Sequence, residues 1–119
     1  YMGMPFAPHL KSGIAAEAAA ATYLQNKGLK LLTKNYKTAF GEIDLVMQDR
    51  QTLVFVEVRL RKNERFGGAI MSITPAKQQK LQRTAAYYLQ IYGEQACRFD
   101  AILMQSAHED TIEWLQNII

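Results

Sequence analysis

GEIDLVMQDRQTLVFVEVRLR, Gly41 to Arg61, is rich in Val, Ile, Leu and Phe, yet Glu42, Asp44, Glu57 and Arg59 stand among them. Two apolar runs of strand length flank the polar stretch QDRQT, which predicts a β-hairpin. The turn centres most naturally between Arg50 and Gln51, so that paired residue numbers sum to 101. Val46 then faces Phe55, Asp44 faces Glu57, and Glu42 faces Arg59. Strand alternation places Glu42, Asp44, Glu57, Arg59 and Arg61 on one face. It places Ile43, Leu45, Met47, Val54, Val56, Val58 and Leu60 on the other, as core. A bulge or a longer loop would shift this register by one residue.

Like charges directly opposite one another destabilise a sheet, and partial burial adds to the cost. Two arrangements offset it. In one, Arg59 pairs with Glu42 and Glu57 in an ion-pair ladder. In the other, Asp44 and Glu57 share a divalent cation, because carboxylate oxygens are the ligands that Mg²⁺ takes. Glu17, in a preceding helix, is a third acid. It borders a stripe of Ile14, Ala20, Ala21 and Leu24, and points either toward the hairpin or outward.

Working outward, SGIAAEAAAATYLQNKG predicts an Ala-rich helix with Ser12 near its start and Gly28 as its stop. LKLLTKNYKTA predicts a strand whose Lys30, Lys34 and Lys37 suit an edge. After the hairpin, NERFGGAIMSI reads as a loop in which Phe66-Gly67-Gly68 connects strand to helix. TPAKQQKLQRTAAYYLQIYG has Thr74 as N-cap, Pro75 at the first helical position and Gly93 past the end. CRFDAILMQS and TIEWLQNII form a strand pair around AHED. The order αβββαββ predicts an α/β domain with a mixed β-sheet flanked by helices. Residues 1–11 read as a flexible arm and 12–119 as one domain.

The chain of 119 residues carries a net charge of +3, unevenly distributed. Arg59 to Arg83 holds seven bases and one acid, Glu64, while the remainder is net negative. Such a field favours a polyanion, although a solvated charged surface is the plainer reading. The single cysteine, Cys97, excludes an internal disulfide framework and reads as a small buried hydrophobe. With no membrane-length apolar run and no signal-peptide pattern, a cytoplasmic protein is expected. His9 and His108 lack metal-ligand spacing. Asp100 reads as a structural acid paired with Arg98 or a helix lysine. Tyr87, Tyr88, Tyr92 and Trp114 are stacking candidates that more often serve as core or interface.

GEIDLV, LVFVEVRLR, FG, the set Lys77, Lys80, Leu81, Ala85, Tyr88 and Leu89, and RFD occur in this order and spacing. On these motifs the chain resembles the YraN-type family of small uncharacterised bacterial proteins, over roughly Ser12 to Ile118. That family resembles Holliday-junction resolvases and implies a restriction-endonuclease-like fold with an Asp…(Asp/Glu)-x-Lys nuclease signature. Carried over, the resemblance makes Glu17 the acid of the first helix. Asp44 and Glu57 become metal ligands, with the Val58 carbonyl beside them and Mg²⁺ or Mn²⁺ as the cofactor. Arg59 stands where the signature has Lys. Its guanidinium suits phosphate but does not readily release a proton.

Three readings follow. One is a metal-dependent nuclease acting on structured DNA, with Asp44, Glu57, Arg59 and Glu17 in the site and Arg61, Lys77, Lys80 and Arg83 on phosphates. The second is a nucleic-acid-binding module whose chemistry is weakened by Arg59. The third is a structural or protein-interaction domain. A homodimer is expected by analogy with enzymes that cut two strands.

Overall fold

The computed structural model describes residues 8–60, 73–105 and 112–119. The first helix, α1 (Pro8–Asn26), begins about one turn before Ser12, with a proline at a position where its missing N–H costs nothing. It closes as expected: Gly28 has φ 101°, and the Leu29 amide donates back to the Leu24 carbonyl.

Three strands follow: β1 (Lys30–Lys37), β2 (Glu42–Asp49) and β3 (Thr52–Leu60). Then come α2 (Pro75–Tyr92), β4 (Cys97–Met104) and β5 (Glu113–Leu115). The five strands lie in sequence order in one sheet. All neighbours are antiparallel except β3 and β4, which run parallel with α2 as the crossover. The predicted order αβββαββ and the mixed sheet are therefore what the chain forms. β1 is an edge strand, and its lysines project from an exposed pattern.

The helices sit on opposite faces, which gives the sheet two cores. On one face Ala16, Ala20, Ala21 and Leu24 of α1 pack on Leu45, Met47, Val54, Val56, Ile102 and Met104. Small alanines let this helix lie close to the strands. On the other face Leu81, Ala85 and Tyr88 of α2 pack on Val46, Leu53, Phe55, Ala101 and Leu103. β3 is apolar on both faces for this reason. Ile14, expected in the buried stripe of α1, is exposed, and Ala16 takes its place.

The hairpin register matches the expectation from Asp49–Thr52 through Val46–Phe55 to Leu45–Val56. Arg50 occupies the turn with φ 59°. One assignment changes. Ile43 packs with Val46 and Phe55 on the α2 side, not with Leu45 on the α1 side. Simple alternation fails around Asp44, where the regular β2–β3 pairs end and where Asn35, on the neighbouring stretch of β1, adopts φ 52°.

At the far side of the sheet, Asp100 is fully buried and fully served. Arg98 Nε donates to both its oxygens at 3.1–3.2 Å, Trp114 Nε1 donates at 3.0 Å, and the Asn117 amide donates at 3.1 Å. This ties β5 to β4 and realises the structural role expected of Asp100. Trp114 also meets Tyr23 edge-on. Cys97, expected to be buried, is exposed at the start of β4. No described helix is long and apolar enough to cross a membrane.

Candidate functional site

Where β2 and β3 part, a side chain takes over from the ladder. Asp44 Oδ2 accepts the Val58 amide at 2.8 Å, so a carboxylate stands where a strand carbonyl would have been. That bond holds Asp44 beside β3, and it is possible only because the regular pairs stop at Leu45–Val56. Glu57, on the α2 side with Leu53 and Phe55, is buried to 7% exposure. Arg59, two residues on, forms an ion pair with Glu57 Oε2. Among the described residues Arg59 has no such pair with Glu42, so the expected ladder is reduced to one rung.

From the other side α2 delivers bases. Thr74 caps the helix by accepting the Lys77 amide at 3.2 Å, with Pro75 next, as the sequence predicts. Lys77 Nζ lies 4.0 Å from Glu57 Oε2. The β1–β2 turn seats against the same helix at Gly41: a Cβ there would stand 3.3 Å from Thr84 Oγ1 and 3.5 Å from Lys80 Cβ. Glycine is what allows this approach.

The result is a pocket of about 380 Å³ lined by Glu17, Gly41, Glu42, Asp44, Glu57, Val58, Arg59, Lys77, Lys80 and Leu81. Seven of the expected residues, Glu17, Asp44, Glu57, Val58, Arg59, Lys77 and Lys80, thus meet in one place. Arg83 lies further along α2, over the Phe40 ring. Arg61, the Phe66-Gly67-Gly68 loop, the AHED turn and His108 lie outside the described residues, as does the side chain of His9.

Crowding three acids has electrostatic consequences. Burial, then the charge of Asp44, pushes Glu57 up to about 7. Burial also raises Asp44, against the opposing pull of the Val58 amide and Arg59. Glu17 is raised by burial and by Asp44, while the Asn35 side chain favours its charged form. Asn35 also lines an adjoining cleft with Glu17, Glu42 and Asp44. Sequence reasoning did not single it out. The available signal was an Asn within a strand, a residue that tolerates the left-handed conformation it adopts here.

Asp44 and Glu57 offer hard oxygen donors in a partly desolvated recess. Among the described residues no three acidic, His or Cys side chains converge as a ligand set. The donor set is therefore a carboxylate pair with the backbone of Val58 beside it. That suits Mg²⁺, which takes one or two carboxylates and fills its remaining positions with water and phosphate. The Nε–H of Arg59 is buried and has no hydrogen-bond partner among the described residues, which leaves a donor in need of an acceptor.

Residues 16–104 match the model of the family described as "Uncharacterised protein family UPF0102". A UPF0102 protein of Nitrosomonas europaea is 54% identical over 106 residues, covering 88% of this chain and 90% of the relative. One of Nitrosomonas eutropha is 58% identical over 106 residues, with the same coverage. One of Pseudomonas fluorescens is 49% identical over 117 residues, covering 96% and 97%.

Proposed function

Since the chain belongs to the uncharacterised protein family UPF0102, whose description carries no activity, we propose a function from the pocket itself: binding of nucleic-acid phosphates and divalent-metal-dependent hydrolysis of a phosphodiester bond. The observation that carries this reading is the Asp44–Glu57 pair flanked in one recess by Arg59, Lys77 and Lys80.

A buried carboxylate, Glu57, held beside a half-buried one, Asp44, is a poor resting arrangement for a protein that needs only a fold. Burial raises the proton affinity of both, the charge of Asp44 adds to that of Glu57, and a divalent cation would relieve both. Asp44 and Glu57, with the Val58 carbonyl, would hold it. When bound, Mg²⁺ or Mn²⁺ supplies charge neutralisation at the phosphate and acidifies water. The chain's own residues do the rest. Lys77 and Lys80 attract and position the backbone phosphates. Arg59 presents a buried N–H donor to a phosphate oxygen and balances charge at Glu57. The motif resemblance to restriction-endonuclease-like nucleases and junction resolvases points to DNA as the polymer.

A second reading rests on a specific observation: the signature amine is replaced by Arg59, and that guanidinium is paired with Glu57. Such a site binds phosphate but tunes water poorly, which makes the protein a nucleic-acid-binding module with weak chemistry.

Incubation with Mn²⁺ and a panel of linear, flapped and four-way DNAs separates the two. Hydrolysis of any member that is lost in Asp44→Asn supports the nuclease reading. Metal-independent binding of the whole panel without cleavage supports the module. Absence of both binding and cleavage defeats both readings and leaves the carboxylates as a structural ion-pair cluster.

A further inference from the structure

Beside the acidic pocket, α2 carries a second feature of different chemistry. Phe40, at the tip of the β1–β2 turn, is 43% exposed, and Tyr87 is 41% exposed. Their rings meet edge-on at 6.1 Å. Arg83 lays its guanidinium over Phe40, 5.8 Å from the ring centre. Together with Ala86 and Gln90 they line a groove of about 520 Å³. Neither ring belongs to either core. The turn is built to hold Phe40 out: the Phe40 amide donates to Thr38 Oγ1 at 3.0 Å, and the Thr38 amide donates to the Gly41 carbonyl at 2.8 Å.

This groove continues the phosphate side of the pocket. Lys77, Lys80, Arg83 and Tyr87 follow at helical spacings of three, three and four residues, along one line of α2. Lys80 and Tyr87 are about 10 Å apart along the axis at 1.5 Å per residue. No acidic residue occurs in α2. The surface thus alternates cation and π-face, as a single strand of nucleic acid alternates phosphate and base. A duplex keeps its π-faces stacked inside and leaves the rings without a partner.

We propose that Phe40, Tyr87 and Arg83 form a stacking platform for an unpaired nucleobase, whose flanking phosphates run toward Lys80 and the carboxylate pocket. The platform rests on the nucleic-acid reading above and narrows it: the preferred substrate carries single-stranded character next to the phosphate held in the pocket. Trp114 and Tyr88 take no part, the first being bonded to Asp100 and the second buried.

The test uses the full chain and three fluorescent probes at low salt: an oligothymidylate single strand, an abasic strand of equal charge, and a blunt duplex. Wild type binds the oligothymidylate most tightly. Phe40→Ala and Tyr87→Ala each lower that affinity about tenfold, the scale of one base–aromatic stack, and leave the abasic strand and duplex unchanged. Tyr87→Phe keeps the affinity of wild type. Both rings are well exposed, so unchanged melting temperatures accompany these results.

Equal losses on all three probes, or none on any, overturn the platform. If Lys80→Glu meanwhile weakens every probe, the nucleic-acid reading survives without it. If no probe binds wild type, both fall together. If Phe40→Ala instead converts a dimer to a monomer in sedimentation, the rings join two copies of the chain, and the platform is likewise overturned.

Discussion

Glu57 has a proton affinity set by its surroundings more than by its chemistry. Its ordinary value is 4.5, and in the fold it is pushed up to about 7. Between those two values the folded state keeps a proton that the unfolded chain has released. Stability therefore falls as pH rises from about 4.5 to 7 and levels off above that. Glu57→Gln removes this slope. The variant should be more stable than wild type at pH 8, by about 1–2 kcal/mol, and little different at pH 5. Under the metal reading Mn²⁺ should raise the melting temperature of wild type at pH 8, do so weakly at pH 5, and leave Glu57→Gln nearly unmoved. Melting curves at both pH values, with and without Mn²⁺, check this.

Arg59 carries the second test at this scale. If the site hydrolyses phosphodiesters, Arg59→Lys restores an amine whose pKa can shift toward neutrality, and single-turnover cleavage should rise. A tenfold gain corresponds to about 1.4 kcal/mol off the barrier. A residue that serves only the Glu57 ion pair predicts a change in melting temperature and none in rate. The proximity of the two carboxylates was legible as far as the hairpin register put Asp44 opposite Glu57, with an ion-pair ladder and a shared cation both left open. The ladder in fact ends at Leu45–Val56, and Asp44 reaches β3 through its side chain. Asn35 was not legible: its importance comes from a backbone angle and from a neighbour in another element.

At the level of elements, the turn before β2 and the helix α2 act as one unit. Gly41 sits where a methyl group would press on Thr84 Oγ1, which is already bonded to the Lys80 carbonyl at 2.8 Å. Gly41→Ala should cost roughly 1–2 kcal/mol through overpacking. It should also weaken nucleic-acid binding beyond that loss, because the turn carries Phe40 and lines the pocket. Denaturant titration and binding on the same protein separate the two effects. The elements themselves were readable from caps and turns: Thr74-Pro75, Gly28, Gly93 and QDRQT each mark a boundary by a physical requirement. Ile43 was misread because alternation was extended across Asp44, where the strand stops obeying it. No sequence pattern announces that a side chain has replaced a ladder carbonyl.

For the whole molecule, charge is segregated. The positive segment of the sequence, Arg59 to Arg83, reaches through the first half of α2, and that half places Lys77 and Lys80 on the pocket. If these contact phosphates, affinity should fall steeply with salt through counterion release. Lys80→Glu should reduce the slope of log affinity against log salt by about one and weaken binding alike across base sequences. A slope unchanged by this charge reversal would remove Lys80 from the interface. The convergence of α1, the hairpin and α2 on one recess was expected from the family resemblance and from Glu17 bordering its stripe. Composition and periodicity alone left Glu17 free to point outward, since an Ala-rich helix does not declare its buried face.

The parallel joint between β3 and β4 has a kinetic consequence. Leu53 pairs with Cys97 and Leu60 with Met104, so these partners lie roughly forty residues apart, whereas the β2–β3 hairpin closes locally. The hairpin can form early, bringing Asp44 and Glu57 together before any base arrives from α2. Only when the crossover docks do Lys77 and Lys80 reach them. Until then the carboxylate pair has only Arg59, from its own hairpin, beside it, so the recess with its helix lysines is completed late in folding.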